Sequence, residues 1–229
     1  MATVSESPIT SVEQIVAQLT EAVHEHRVQP GTKLREDEVG EIFGVSRTLV
    51  RDALRRMEHG GLVTIQRNRG AFVAKPTPKE AREVFEARAL LEPQTTRAAA
   101  ERATARDIAE LEHHMAEEHS ALDREEAGLA LKLSGDFHVA IARIADQKTI
   151  EQFLRQLVSR SSLVIALYWR RRNALCESNA HHALVEALRT GDGDKAEDLM
   201  KGHLLDVLSQ LDLRERDQGP VSLKDALKR

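Results

Sequence analysis

Gly44 and Ser46 stand two residues apart, between two stretches whose apolar residues recur at helical spacing. Locally that leaves the chain little choice. Before the pair, residues 36–43 place Val39, Ile42 and Phe43 inward on a short helix. After it, Leu49, Val50, Ala53, Leu54 and Met57 mark one face of a helix running to about His59. A glycine takes the left-handed backbone that ends a helix without strain. A serine hydroxyl accepts from an exposed amide at the start of the next helix. Two helices joined by a tight turn at Gly44-Val45 are therefore predicted, with Gly60-Gly61 stopping the second. Leu62-Val63-Thr64-Ile65 and Ala71-Phe72-Val73 then read as two strands, with Asn68 and Gly70 suited to a hairpin turn. A helix over 12–26, with Val12, Ile15, Val16, Leu19 and Val23 at helical spacing, precedes a Pro30-Gly31 turn.

Charge singles out the same region. Residues 44–75 hold seven cations and two anions, whereas 76–229 hold 23 cations and 27 anions, within a chain of net charge −4. A cationic segment on an acidic remainder fits a polyanion-binding module joined to something that avoids polyanions. Seven aromatic residues are too few for a stacking platform on single strands. A helix-turn-helix with a two-stranded wing instead fits the major groove of duplex DNA, with first-turn side chains at base edges. Those side chains are Ser46, Arg47 and Thr48, with Arg51 one turn on. Arg47 can grip guanine with two hydrogen bonds, and the Ser46 and Thr48 hydroxyls suit a phosphate oxygen. Arg67 and Arg69 flank the wing tip beside Gly70, which lets backbone approach the DNA closely. Arg55 and Arg56 lie further along; they either reach DNA or pair with nearby acids.

Pro76-Thr77-Pro78 is a stiff break. The predicted division is a winged helix-turn-helix over 1–75, a linker over 76–80 and a helical unit over 81–215, with a flexible tail at 216–229. Helices are predicted at 79–102, with Pro93 kinking it or costing one hydrogen bond, and at 105–124, 127–145, 148–171, 180–190 and 193–214. The lone Cys176, placed in a loop, excludes an internal disulfide and a cysteine-based zinc finger. No apolar run approaches a membrane span, residues 1–11 do not read as a signal peptide, and a cytoplasmic location is expected.

Three of the ten histidines sit among apolar residues. His138 follows Phe137, His181 precedes Leu184, Val185 and Leu188, and His203 lies near Met200 and Leu204. Spacing leaves two readings open: three separate buried histidines, each hydrogen-bonded, or three imidazoles converging on a metal from facing helices. Imidazole ligands suit zinc or nickel, one ion per subunit. His182 is a register alternative to His181, and His113, His114 and His119 are expected in solvent. Arg88 is either a two-pronged carboxylate clamp or the partner of Glu92 one turn on. Arg160, Ser161 and Ser162 interrupt an apolar helix and could line the same cavity. Tyr168, Trp169 and Arg170–Arg172 are expected to cap that helix or meet a second subunit.

Residues 12–75, most strongly PGTKLREDEVGEIFGVSRTLVRDALRRMEHGGLVTIQRNRGAFVAKP, resemble the winged helix of the GntR transcription regulators. The resemblance implies DNA contacts by Ser46, Arg47, Thr48, Arg51 and the wing around Gly70. Asp37 stands where many members carry Arg, and Arg35, two residues earlier, is the candidate substitute. Residues 80–212 resemble the FCD-type ligand-binding domain of the FadR branch, in FEARALLEPQTTRAAAER, LSGDFHVAIARIA, HHALVEALRTGD and LMKGHL. This implies an antiparallel helical bundle, a homodimer, and a cavity for a small organic acid, often with a divalent metal on His138, His181 and His203. Ser134 stands one turn before His138, where Asp or Asn is common. Asp136, two residues further on, points elsewhere on an ideal helix. Three arrangements remain open: three protein ligands completed by water and effector, a weak metal site, or histidines donating directly to the acid.

The expected function is a ligand-responsive regulator whose dimer reads a short palindrome in double-stranded DNA. A three-histidine metallohydrolase is the rival, though no general base is evident and the winged helix would be unexplained. A protein-interaction module is the third, opposed by the arginines at 47, 51, 67 and 69.

Overall fold

The computed structural model describes residues 11–169 and 175–214, the latter with side chains from residue 180. The expected tail at 216–229 and Arg170–Arg172 lie outside the described residues.

The N-terminal unit contains α1 (Val12–His24), β1 (Lys33–Leu34), α2 (Glu36–Phe43), α3 (Arg47–His59), β2 (Val63–Gln66) and β3 (Gly70–Val73). Ser11 starts α1 with a reciprocal cap on Gln14. Gly44 ends α2 in the left-handed region at φ 66°, and the Ser46 hydroxyl accepts from the Leu49 amide to start α3. Asn68 (φ 61°) and Gly70 (φ 95°) turn the β2–β3 hairpin. One strand escaped prediction. Lys33-Leu34 pairs antiparallel with β3, opposite Phe72 and Ala71, giving the sheet order β1-β3-β2. Two residues after a Pro-Gly turn are too short to show alternation. Ile42, predicted inward, is 71% exposed. Val39 and Gly40 take the buried face, where a β-carbon on Gly40 would come 3.0 Å from the Val45 carbonyl, so the turn folds back closely on α2 there.

The second unit is a bundle of α4 (Pro78–Ala100), α5 (Ala105–Asp123), α6 (Ala127–Ile144), α7 (Lys148–Tyr168), α8 (Leu175–Thr190) and α9 (Gly193–Ser209). Thr77 and Glu80 cap each other, and Pro78 sits where helix starts favour it, so α4 begins inside the segment read as linker. Helix α4 runs through Pro93. Helix α8 starts five residues before the predicted 180, which puts Cys176 on a helix rather than in a loop. Phe137, Leu111, Ile141, Leu184, Leu188 and Met200 form the centre of the core.

The two units are packed against each other. Leu163 of α7 is fully buried within the apolar cluster of the winged helix. The Tyr168 hydroxyl donates to the Pro76 carbonyl at 2.7 Å, fixing the connecting segment to the end of α7. His26 Nε2 donates to the Ser162 carbonyl at 3.1 Å. At Gly128, the first turn of α6 meets the end of α1 so closely that an added β-carbon would lie 1.9 Å from the Glu25 carbonyl oxygen. Gly128→Ala must therefore open this seam, at an overpacking cost of about 1–3 kcal/mol. Hydrogen exchange over residues 20–28 is expected to accelerate roughly 5- to 100-fold; unchanged exchange would show that the seam is not closed in solution.

Candidate functional site

In the N-terminal unit, Ser46, Arg47, Thr48 and Arg51 are all exposed at the start of α3. Arg47 makes no ion pair among the described residues. Arg51 Nε instead pairs with Glu36 at 2.7 Å. Arg35 Nε lies 3.6 Å from Asp37, so the acid in that position is countered by the arginine beside it. Arg56 pairs with Glu13 at 2.5 Å and Arg55 with Asp52 at 3.5 Å, which favours the pairing reading for both. At the wing, Arg67, Arg69 and Gly70 are exposed. Arg69 and Lys33 both stand over the Phe72 ring, 5.8 and 5.7 Å from its centre. Lys33 joins the wing only through the unpredicted β1, so sequence reading had no route to it.

Inside the bundle, α6, α8 and α9 bring His138, His181 and His203 together, with one nitrogen from each within 4.8 Å of the others. All three are buried, whereas His182 is exposed, which selects the His181 register. Phe137 stacks on the His181 ring at 4.1 Å. His138 Nδ1 donates to Glu92 at 2.6 Å, and His181 Nδ1 lies 3.3 Å from Glu118. His138 Nε2 and His203 Nε2 face each other at 3.3 Å. Burial lowers all three pKa values, that of His181 to about 3, so the rings are neutral near pH 7. Neutral imidazole is the form that ligates metal.

The residues fit a metal ion. His181 Nε2 is buried with no hydrogen-bond partner among the described residues, which is at odds with three histidines each satisfied separately. Nitrogens held about 2.0 Å from a tetrahedral ion sit about 3.3 Å apart, matching the His138–His203 separation. Carboxylates on the remote ring nitrogens are the usual support for such ligands. Ser134 is buried one turn before His138 and offers only a hydroxyl. Among the described residues the ligand cluster therefore contains three imidazoles and no carboxylate.

Glu92 ties this cluster to Arg88. Arg88 Nε donates to it at 2.5 Å, with both side chains buried. Burial raises the Glu92 pKa, but Arg88 and His138 outweigh that and hold the carboxyl well below its usual range. The Arg88–Glu92 pair is thus formed, and Arg88 also donates to Ser161 at 3.0 Å while bordering a cavity of about 320 Å³. Ser134, His138, Ser161 and His203 border the same cavity. Arg160 does not. It is exposed and lies against Gly61 of the winged helix, because Ser161 takes the inward position and the next residue along a helix is turned about 100° away. Arg155, more than one turn earlier, borders the cavity in its place. Asp136 is not among the clustered histidines; it lines the cavity and accepts from Lys132 at 2.8 Å. His114 is half-buried, its Nε2 donating to the Leu133 carbonyl at 2.7 Å, rather than solvated.

Comparison with known proteins gives two domain matches: the FCD domain over residues 83–206 and the gntR family of bacterial regulatory proteins over residues 11–73. The chain is 30% identical to the HTH-type transcriptional repressor RspR of Escherichia coli, over 79% of each chain. It is 28% identical to the galactonate operon transcriptional repressor of the same species, covering 82% of this chain and 91% of that one. Among solved structures, a GntR transcriptional regulator from Rhodococcus sp. RHA1 superposes with a TM-score of 0.77 at 23% identity, over 87% of this chain and 96% of that one.

Proposed function

The chain belongs to the gntR family of bacterial regulatory proteins, with an FCD domain behind its winged helix, and from that premise we propose that it is a cytoplasmic homodimer that controls transcription by reading a short palindromic operator. One observation carries this reading: the exposed first turn of α3, with Arg47 and Arg51, belongs to a unit packed against a helical bundle whose cavity is bordered by Arg88, His138 and His203. The DNA contacts are Arg35, Ser46, Arg47, Thr48, Arg51, Arg67, Arg69 and Gly70. Two-fold symmetry of the dimer sets two half-sites in the operator. The DNA-binding unit spans 1–75, and the effector-binding and dimerisation unit 81–215. Relatives named as repressors support regulation over catalysis. The hydrolase reading has no support: the buried Glu92 and Glu118 are engaged by histidine nitrogens, and the winged helix would have no task.

The effector is a small organic acid. Arg88, Ser134, Ser161, His138 and His203 form its site; Arg160 and His181 do not line the cavity, and His181 would reach the acid only through a shared metal ion. His138, His181 and His203 would hold one zinc or nickel ion per subunit. Such an ion supplies a Lewis acid that binds a carboxylate. The protein's own share is to hold the imidazoles neutral and oriented through Glu92 and Glu118. The acid can shift the winged helices only through different affinities for two domain arrangements. A thermal-shift screen of small organic acids, with and without zinc or nickel, is expected to raise the melting temperature in a metal-dependent way. Elemental analysis is expected to find about one ion per subunit, absent when the three histidines are replaced by alanine. Equal metal content in the two proteins would remove the ion from the site, and a screen without any stabilising acid would remove the effector.

A further inference from the structure

The cavity wall is not built by the bundle alone. Thr20 and His24, four residues apart on one face of α1, also line it. Helix α1 belongs to the DNA-binding unit. His24 Nε2 is closed off from solvent and has no hydrogen-bond partner among the described residues. A buried imidazole nitrogen without a partner is unfavourable. The nitrogen is shielded from the cavity that the ring borders, so a molecule there satisfies it once the ring turns about its soft χ2 torsion.

The seam behind His24 is built to transmit such a contact. Ser162 lines the cavity, and its hydroxyl donates to the His24 carbonyl at 3.5 Å. The same residue accepts from His26 through its carbonyl and lies 3.3 Å from that ring through its hydroxyl. Movement of His24 relative to α7 therefore moves the end of α1, against which α3 packs in one apolar cluster through Ile15, Leu19 and Val23.

The lining also limits what sits there. Each cation on the wall already has a carboxylate: Arg88 has Glu92 at 2.5 Å, Lys132 has Asp136 at 2.8 Å, and Arg155 has Glu151 at 2.6 Å. Burial lowers the His24 pKa; Asp136 opposes this, and Lys132 and His26 add to it, so the ring is uncharged near neutral pH. Hydroxyls are plentiful, on Thr20, Ser134, Ser159, Ser161 and Ser162. A second carboxylate near α1 would find no uncompensated positive charge, whereas a hydroxyl-bearing tail would find donors and acceptors. The volume of about 320 Å³ is roughly ten water volumes at about 30 Å³ each, enough for a short sugar acid.

We propose that His24 is a ligand-contact residue contributed by the DNA-binding unit, and that it reads the hydroxylated tail of a monocarboxylic acid whose carboxylate lies at the histidine–Arg88 end. This rests on the effector reading above. The ligand thereby bridges the two domains, and its tail, not its carboxylate, sets the response of the winged helix.

The test uses full-length wild type, His24→Leu and His24→Gln, with short aldonates, hexanoate and adipate as probes. Calorimetry gives binding, and operator affinity with and without each acid gives the response. An aldonate is expected to bind wild type more tightly than hexanoate or adipate. His24→Leu is expected to weaken aldonate binding roughly tenfold, the loss of one buried hydrogen bond, to leave the weak hexanoate binding as it was, and to bring the ratio of operator affinities close to one. His24→Gln, which restores a side-chain donor and acceptor, is expected to recover part of both. Aldonate binding and response unchanged in His24→Leu would overturn this inference alone. Tighter binding of hexanoate or adipate than of aldonates would overturn it as well. No binding of any probe to wild type would overturn it together with the effector reading.

Discussion

Arg47→Ala is expected to abolish specific operator binding while leaving the dimer and its melting temperature intact. Arg47 occupies the first position of α3, is exposed, and makes no ion pair among the described residues. Its guanidinium can enter a major groove without first breaking a contact within the protein. Arg51, one turn on, must carry or release Glu36, and Arg35 is countered by Asp37. A two-pronged arginine–guanine contact discriminates by about 1–3 kcal/mol. A two-fold dimer makes it twice, so the loss is about 2–6 kcal/mol, roughly 30-fold to 20,000-fold in affinity. Non-specific binding should fall far less, and its salt dependence should stay nearly as it was, because the slope counts phosphate contacts and Arg47 is assigned to a base. Arg51→Ala should cost less, because Glu36 already offsets part of that charge. Titrating a labelled operator and a scrambled duplex at two salt concentrations separates these effects. Operator affinity unchanged by Arg47→Ala would refute the assignment of α3 as the reading helix.

The helix-turn-helix was legible because its signals are local. Gly44 and Ser46 act on their own backbone, and the apolar face of α3 from Val50 to Met57 follows from spacing alone. The histidines were legible in part. Apolar neighbours at helical spacing marked His138, His181 and His203 as inward, but only the crossing of three helices decides whether inward residues meet. His24 and His114 were not legible, since each gains its burial from an element distant in sequence. Arg160 failed for a related reason. A polar interruption of α7 shows that something polar is wanted inside, but the phase of the helix against its neighbours decides which residue supplies it: Ser161 faces the cavity while Arg160 faces Gly61. The seam between domains left one faint mark, Gly128 in the first turn of a helix where a better helix former would serve, and its reason is the Glu25 carbonyl of another domain.

Glu92→Ala carries the largest expected cost in stability, because Glu92 answers a buried charge and a buried ring N–H at once. Its carboxylate accepts from the Arg88 guanidinium at 2.5 Å and from His138 Nδ1 at 2.6 Å, and all three side chains are buried. Removing it strands the guanidinium in the bundle, with the Ser161 hydroxyl at 3.0 Å as its remaining hydrogen-bond partner among the described residues and the Phe85 ring beneath it. Breaking a buried pair from one side costs about 3–5 kcal/mol, or roughly 6–20 °C in melting temperature for a chain of this size. A second loss is separable from the first. His138 would no longer have the acceptor that fixes its Nδ1–H tautomer and turns Nε2 toward His203, and losing such a support typically weakens metal binding about 10- to 100-fold. The double variant Arg88→Met/Glu92→Leu tells the two apart. An apolar pair of similar volume removes the stranded charge, so stability should recover to within about 1–2 kcal/mol of wild type. Zinc affinity should stay low, because the acceptor for His138 is still missing. If Glu92→Ala melts within about 1 kcal/mol of wild type, the guanidinium has found water and the site is open rather than sealed. If the double variant binds zinc as wild type does, Glu92 does not orient His138, and the carboxylate serves Arg88 alone.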